Sequence, residues 1–216
     1  MKMRHFLIGA AVSLALLSLP CMTQAQFAGT GARDNFRDTT ILRPPAGSKV
    51  AVIVFEDLGC PACAKAHPFE LQVAKQTHVP LLRYDFPLEA HVWTFEGAVC
   101  ARYIQDSIGP ALANEYRSDV FASQRMISNK DDLHQFTSAW LQKHGKQMPT
   151  DIDPNGILAK EVSADFELGK RLNVEYTPTV VVVTRDQYQV VCGTKDGTND
   201  ASQLLQVVEG AIAQAH

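Results

Sequence analysis

Residues 55–68 read Phe-Glu-Asp-Leu-Gly-Cys-Pro-Ala-Cys-Ala-Lys-Ala-His-Pro, and how the chain enters and leaves this stretch decides the fold. Just upstream, residues 49–56 (KVAVIVFE) are a short β-branched run bounded by turn residues, the pattern of a buried strand. Gly59 follows, and helical spacing then covers about 60–77. A strand therefore delivers the chain to a turn, and Cys60 and Cys63 sit where a helix begins. Helix N-termini present unpaired N–H groups and the positive end of the macrodipole, which stabilise a thiolate at Cys60. The thiolate is the species that attacks disulfides. Pro61 suits the first turn, where its missing N–H costs nothing. Cys63 lies one turn along, within reach of Cys60, and the helix carries it toward the sheet. Cys60 is thus expected as the attacking thiol and Cys63 as the resolving one.

Working outward, residues 79–86 (VPLLRYDF) read as a second strand, completing a βαβ unit. Residues 89–173 have helical texture. Leu112, Tyr116, Val120 and Phe121 share one face, as do Leu133, Phe136, Trp140 and Leu141 after the helix start at Asp131-Asp132. Ala98, Ala101 and Ile104 belong to an earlier helix, and Ile157, Leu158, Val162 and Phe166 mark a later one. Residues 179–184 (TVVVVT) form the strongest strand, 188–192 its hairpin partner, and 201–213 a closing helix. The expected organisation is an N-terminal arm at 26–47, a βαβ half at 48–88, a helical insertion at 89–173 and a ββα half at 174–216.

Composition narrows the function. The chain has 216 residues, 46% of them hydrophobic, which is ample for a core. Its 20 basic against 23 acidic residues argue against a nucleic-acid binder, which needs a concentrated basic face. Residues 1–25 read as a secretory signal peptide: Lys2 and Arg4 lead, residues 6–19 carry no charge, Pro20 breaks the run, and Thr23-Gln24-Ala25 offers a cleavage site. A spanning helix needs about 20 apolar residues. Export implies a periplasmic protein. It also removes Cys21, whose neighbours Leu19 and Pro20 fit a lipid-attachment signal poorly. Cys60, Cys63, Cys100 and Cys192 then remain in a compartment where disulfides persist. Zinc is the competing use of Cys-x-x-Cys, but no second close pair of ligands lies nearby.

Taken together, the motifs resemble the DsbA-like exported thiol–disulfide oxidoreductases of the thioredoxin-fold superfamily. Cys60-Pro61-Ala62-Cys63 follows a strand as that family's redox motif does, and Pro68 stands five residues beyond, where a proline kinks the active-site helix. Thr177-Pro178-Thr179 matches the family's cis-proline loop, and the helical stretch matches its insertion. The resemblance implies an α/β thioredoxin fold with an inserted all-helical subdomain and a redox-active Cys60–Cys63 disulfide. It implies a cis Pro178 facing that disulfide, with Thr177, Pro61 and Ala62 contacting substrate. It also implies a thiol oxidase acting on reduced secreted proteins, reoxidised by a membrane partner, with neither cofactor nor metal. Residues 26–48 are too short for the dimerisation domain of the related isomerases, which favours a monomer. A reductase or isomerase running the same chemistry, and a peptide-binding chaperone, are the alternatives.

Two departures stand out. Many relatives carry a buried carboxylate six residues before the first cysteine; here that position is Val54. Glu56, on the same strand face, is the candidate proton relay, or else it and Asp57 are both solvated at the strand end. Ala62 stands where the strongest oxidants place histidine, so a less oxidising couple than about −120 mV is expected. His67 could supply part of that charge, but is read foremost as a partly exposed helix residue. Cys100 is expected free and buried, and Cys192 is left open between a thiol and a bonded state.

Overall fold

The computed structural model describes residues 41–192 and 203–215. The signal-peptide reading with Cys21, and residues 26–40 of the arm, lie outside these. Strands β1 (Val50–Glu56), β2 (Leu81–Asp85), β3 (Thr179–Thr184) and β4 (Tyr188–Cys192) form one sheet in the order β2-β1-β3-β4. β1 pairs parallel with β2 and antiparallel with β3, and β4 completes the edge antiparallel to β3. The parallel pair needs a crossover, and helix α1 (Pro61–Thr77) supplies it. Helices α2 (Thr94–Ser107), α3 (Pro110–Ser123), α4 (Lys130–Lys143) and α5 (Ile157–Leu172) come between β2 and β3, and α6 (Leu204–Gln214) follows β4. This is a thioredoxin core with an inserted helical subdomain.

Every residue of β1 is buried, and β3 is buried through Val183, because both central strands are covered on two faces. Val50, Val52 and Val54 pack with Val73 of α1 and with Leu204 and Val208 of α6. Ala51, Ile53 and Phe55 pack on the other side with Phe86 and with Leu172 of α5. Leu42, placed by sequence in the leading arm, is buried in this second cluster. Asn129 caps α4, its side chain accepting from the N–H groups of Asp131 and Asp132 at 2.9 and 3.0 Å. The sequence placed Ile157 on a buried face, yet it is exposed. Leu158, Ala159 and Val162 are the residues through which α5 meets Ala98 and Val99 of α2, and Ile157 falls outside that contact.

The insertion has its own core of Ala101, Ile104, Tyr116, Val120, Leu133, Trp140 and Leu141, and that core runs on into Leu58, Cys60 and Cys63. The cysteine turn is therefore the seam between the sheet domain and the helical subdomain. Among the described residues, no helix is long and apolar enough to cross a membrane.

Candidate redox site

β1 ends at Glu56, and residues 57–60 make the turn into α1. The buried Asp57 organises it. Its carboxylate accepts from the N–H of Gly59 at 2.9 Å, from the N–H of Leu88 at 3.0 Å and from His91 Nδ1 at 2.6 Å, tying the turn to the start of the insertion. Gly59 is required here: a Cβ would come within 2.7 Å of Thr94 Cγ2 and 2.9 Å of the His91 side chain. From the middle of the insertion, Gln124 Nε2 donates to the carbonyls of Leu58 at 2.6 Å and Cys60 at 3.0 Å.

Cys60 is the N-cap residue of α1, with extended backbone and Pro61 next in the first turn. The two sulfurs are unbonded and 3.6 Å apart. Cys60 is 8% exposed and Cys63 2%, so the first thiol is the one nearer solvent. Cys60 Sγ donates to the carbonyl of Thr177 at 3.2 Å, a contact spanning 117 residues of chain. Cys63 Sγ accepts from the Asp57 N–H at 3.5 Å.

The environments push the two thiols apart. A hydrogen bond from Cys63 brings the Cys60 thiol down to about 6 against the opposing effect of burial, and the helix-start N–H groups of Cys63 and Ala62 add to it. Burial pushes Cys63 well above the usual cysteine range, and the adjacent Cys60 and Glu56 charges raise it further. One sulfur ionises readily while its neighbour keeps a proton to donate to it.

The Thr177–Pro178 bond is cis. Thr179 Oγ1 donates to the Tyr176 carbonyl at 2.7 Å, and Cys192 Sγ donates to the Pro178 carbonyl at 3.4 Å. Pro61 is exposed and Ala62 half-buried at the helix start. The fold thus brings Cys60, Pro61, Ala62, Cys63, Thr177 and Pro178 to one end of the sheet. Cys100 is a buried free thiol that burial raises to about 11, and Cys192 is buried as well.

Glu56 is not solvated at the strand end. It is buried, with Arg83 Nη1 2.5 Å from one carboxylate oxygen and Arg117 Nη1 2.9 Å from the other. Behind it stand Glu70, which burial pushes up to about 8, and His67, which burial brings down to about 4. The reading of His67 as partly exposed is corrected: α3 covers it, its Nε2 lying 2.8 Å from Ser118 Oγ and its ring against Phe121. Ligating atoms of Glu56, His67 and Glu70 all lie within 4.8 Å of one another. Both Glu56 oxygens already hold guanidinium groups, however, so the set is poorly suited to a further cation.

The reading of Asp57 as solvated is corrected, since it is buried, and sequence reasoning missed Glu70, Arg83, His91, Arg117 and Gln124. Two of these carried a signal. Arg83 interrupts an apolar strand run, and Arg117 sits at helical spacing from Ala113 and Val120 on a buried face. A charge repeating with the core period marks an internal ion pair.

Compared with known proteins, the sequence matches the thioredoxin family model over residues 39–191. No curated protein matches it in sequence. Among solved structures, oxidised BdbD from Bacillus subtilis superimposes with a TM-score of 0.61 at 16% identity, covering 79% of this chain and 91% of that one. The thiol-disulfide exchange protein alpha-DsbA2 from Wolbachia pipientis gives 0.61 at 15% identity, with 77% and 84% covered. DsbA2 from Pseudomonas aeruginosa gives 0.54 at 20% identity, with 77% and 91% covered. At these identities the likeness is one of fold.

Proposed function

This chain belongs to the thioredoxin family, and from that premise we propose that it is an exported thiol–disulfide oxidoreductase, acting foremost as a thiol oxidase that donates its Cys60–Cys63 disulfide to secreted protein substrates. One observation carries the reading: two sulfurs 3.6 Å apart with opposite proton affinities, the ionisable one nearer solvent and beside the Thr177 carbonyl. A substrate thiolate attacks Cys60, forming the mixed disulfide as Cys63 leaves with the electron pair and takes a proton. A second substrate thiolate then attacks the substrate sulfur and leaves Cys60 as thiolate. The substrate gains a disulfide and the pair is reduced.

The low proton affinity of Cys60 supports the oxidase direction. Stabilising the thiolate stabilises the dithiol form, which makes the disulfide the better oxidant. Ala62 adds no charge to that effect, so a couple less oxidising than the strongest oxidants is expected. A membrane protein that reoxidises the pair, a monomeric state and a periplasmic location complete the proposal, the last resting on the signal-like residues 1–25. A reductase or isomerase would use the same atoms in reverse.

Equilibrating the pair against a glutathione series tests it. The oxidase reading expects a potential well above the value of about −270 mV typical of thioredoxin; a value there would reverse the direction. Replacing Cys60 by Ser should abolish disulfide formation in a reduced secreted substrate. Retained activity would leave only a chaperone role.

A further inference from the structure

Three consecutive carbonyls run past the redox pair into β3, and each accepts from a side chain. Thr179 Oγ1 donates to the Tyr176 carbonyl at 2.7 Å, Cys60 Sγ to that of Thr177 at 3.2 Å and Cys192 Sγ to that of Pro178 at 3.4 Å. The first donor lies within the loop and the second is the attacking thiol. The third is the last residue of the edge strand β4, 14 residues beyond its acceptor, and the exchange steps above make no use of it.

Local structure aims that third thiol. Val183 stands opposite Tyr188 and Val181 opposite Val190, yet Val180 stands opposite Cys192, so Val191 is an extra residue in β4, a β-bulge. Tyr188 and Val190 pack on the α5 side of the sheet, and strict alternation would send Cys192 there with them. The bulge instead turns Cys192 onto the α1–α6 side, among Val180, Leu204 and Val208, where it is fully buried. The backbone it then meets has little freedom. Peptide planes are rigid, and the proline ring fixes φ of Pro178. The remaining soft dihedral between the Thr177 and Pro178 carbonyls is ψ of Pro178. A donor that fixes the second carbonyl therefore fixes the first, which is the one that meets Cys60.

We propose that Cys192 is a positioning residue of the redox site, its thiol holding the Pro178 carbonyl and thereby setting the attitude of Thr177 toward Cys60. This role rests on the redox reading above. No bond to Cys192 forms or breaks during exchange; it acts through the loop. After the hydrogen bond from Cys63, Thr177 is a contact that holds the Cys60 thiol at about 6 against burial. Loosening the loop is thus felt at the attacking sulfur.

The test compares Cys192→Ala and Cys192→Val, which lack a donor, with Cys192→Ser, which keeps one at a size close to alanine. Valine fills the space beside α6 in case alanine leaves it too loose to fold. The Cys60 titration is read from the alkylation rate of each dithiol protein, and single-turnover exchange with a reduced cysteine peptide from each oxidised one. The alanine and valine variants should raise the Cys60 midpoint above about 6. They should also slow exchange about three- to tenfold, the scale of one hydrogen bond, while the serine variant stays near the wild type in both. A midpoint and rate unchanged in the alanine and valine variants would overturn the proposal, even with stability lost, since that loss alone marks packing. A serine variant as perturbed as alanine would overturn it too. A wild type that formed no mixed disulfide with the peptide would instead sink the redox reading, so the two failures are distinct.

Discussion

Arg117 of α3 lies with one nitrogen, Nη1, 2.9 Å from both Glu56 Oε1 at the end of β1 and Asp85 Oδ1 at the end of β2. The insertion is thereby keyed to the sheet immediately beneath the redox turn. All three groups are buried, so removing the cation leaves Glu56 to Arg83 and Asp85 to Arg102, each buried carboxylate losing one of its two guanidinium partners. Arg117→Met should cost about 3–5 kcal/mol of stability, measured by denaturant unfolding. A loss under about 1 kcal/mol, the range of exposed pairs, would show that the linkage contributes little.

The Cys60 thiol, brought down to about 6, should be half-ionised near that pH in the dithiol protein, as followed by thiolate absorbance and alkylation rate. Cys63→Ala removes the hydrogen bond that lowers it most, so the Cys60 titration should move up toward 9.0. The stability consequence has a definite sign. An acid whose value is depressed on folding stabilises the fold fully above the unfolded value and loses that contribution as pH falls through the folded one. The stability advantage of the dithiol wild type over Cys60→Ser should therefore grow between about pH 6 and 9. A difference that stays flat over that range would contradict the depressed thiol.

Much of the fold was legible because its strands are continuous β-branched runs: β3 and β4 fall at the residues read from sequence, and β1 begins one residue later. The cysteine turn was equally plain, since Gly59, Pro61 and the strand before them each restrict the backbone. The charged cluster was not. Whether His67 meets solvent depends on α3 lying over α1, and no local pattern encodes which helix covers which face. The fate of Cys100 and Cys192 was likewise tertiary: one packs in the insertion core and the other in the α1–α6 face of the sheet.

Gly169 lets α5 lie against the sheet. A Cβ there would meet the Phe86 ring at 2.6 Å and Phe55 at 3.3 Å, both in a packed cluster. Gly169→Ala should destabilise by about 1–3 kcal/mol through overpacking. Gly210 in α6 has nothing within 4 Å of the same position. Gly210→Ala should stabilise by up to about 1 kcal/mol through helix propensity. Opposite shifts in thermal midpoint check the pair, and two shifts of the same sign would contradict the geometry.

Gln124 is the insertion's grip on the attacking cysteine. It belongs to the short 3₁₀ turn Gln124–Met126 after α3, yet its amide donates to the carbonyls of Leu58 and Cys60 on either side of Gly59. The Cys60 carbonyl also accepts from the Ala64 N–H at 3.1 Å, so it keeps one partner without Gln124. No other donor to Leu58 O is seen among the described residues. Gln124→Ala should therefore cost about 1–3 kcal/mol, the penalty for leaving a buried acceptor unpaired. Gln124→Glu should cost more, because a carboxylate would face two carbonyl oxygens. If the amide also fixes the attitude of Cys60 toward Thr177, both variants should slow Cys60 alkylation below the thiolate midpoint and raise that midpoint. Gln124→Asn, one methylene shorter, should fall between the wild type and the alanine variant in both readouts. Loss of stability with an unmoved Cys60 titration would confine Gln124 to holding the turn together.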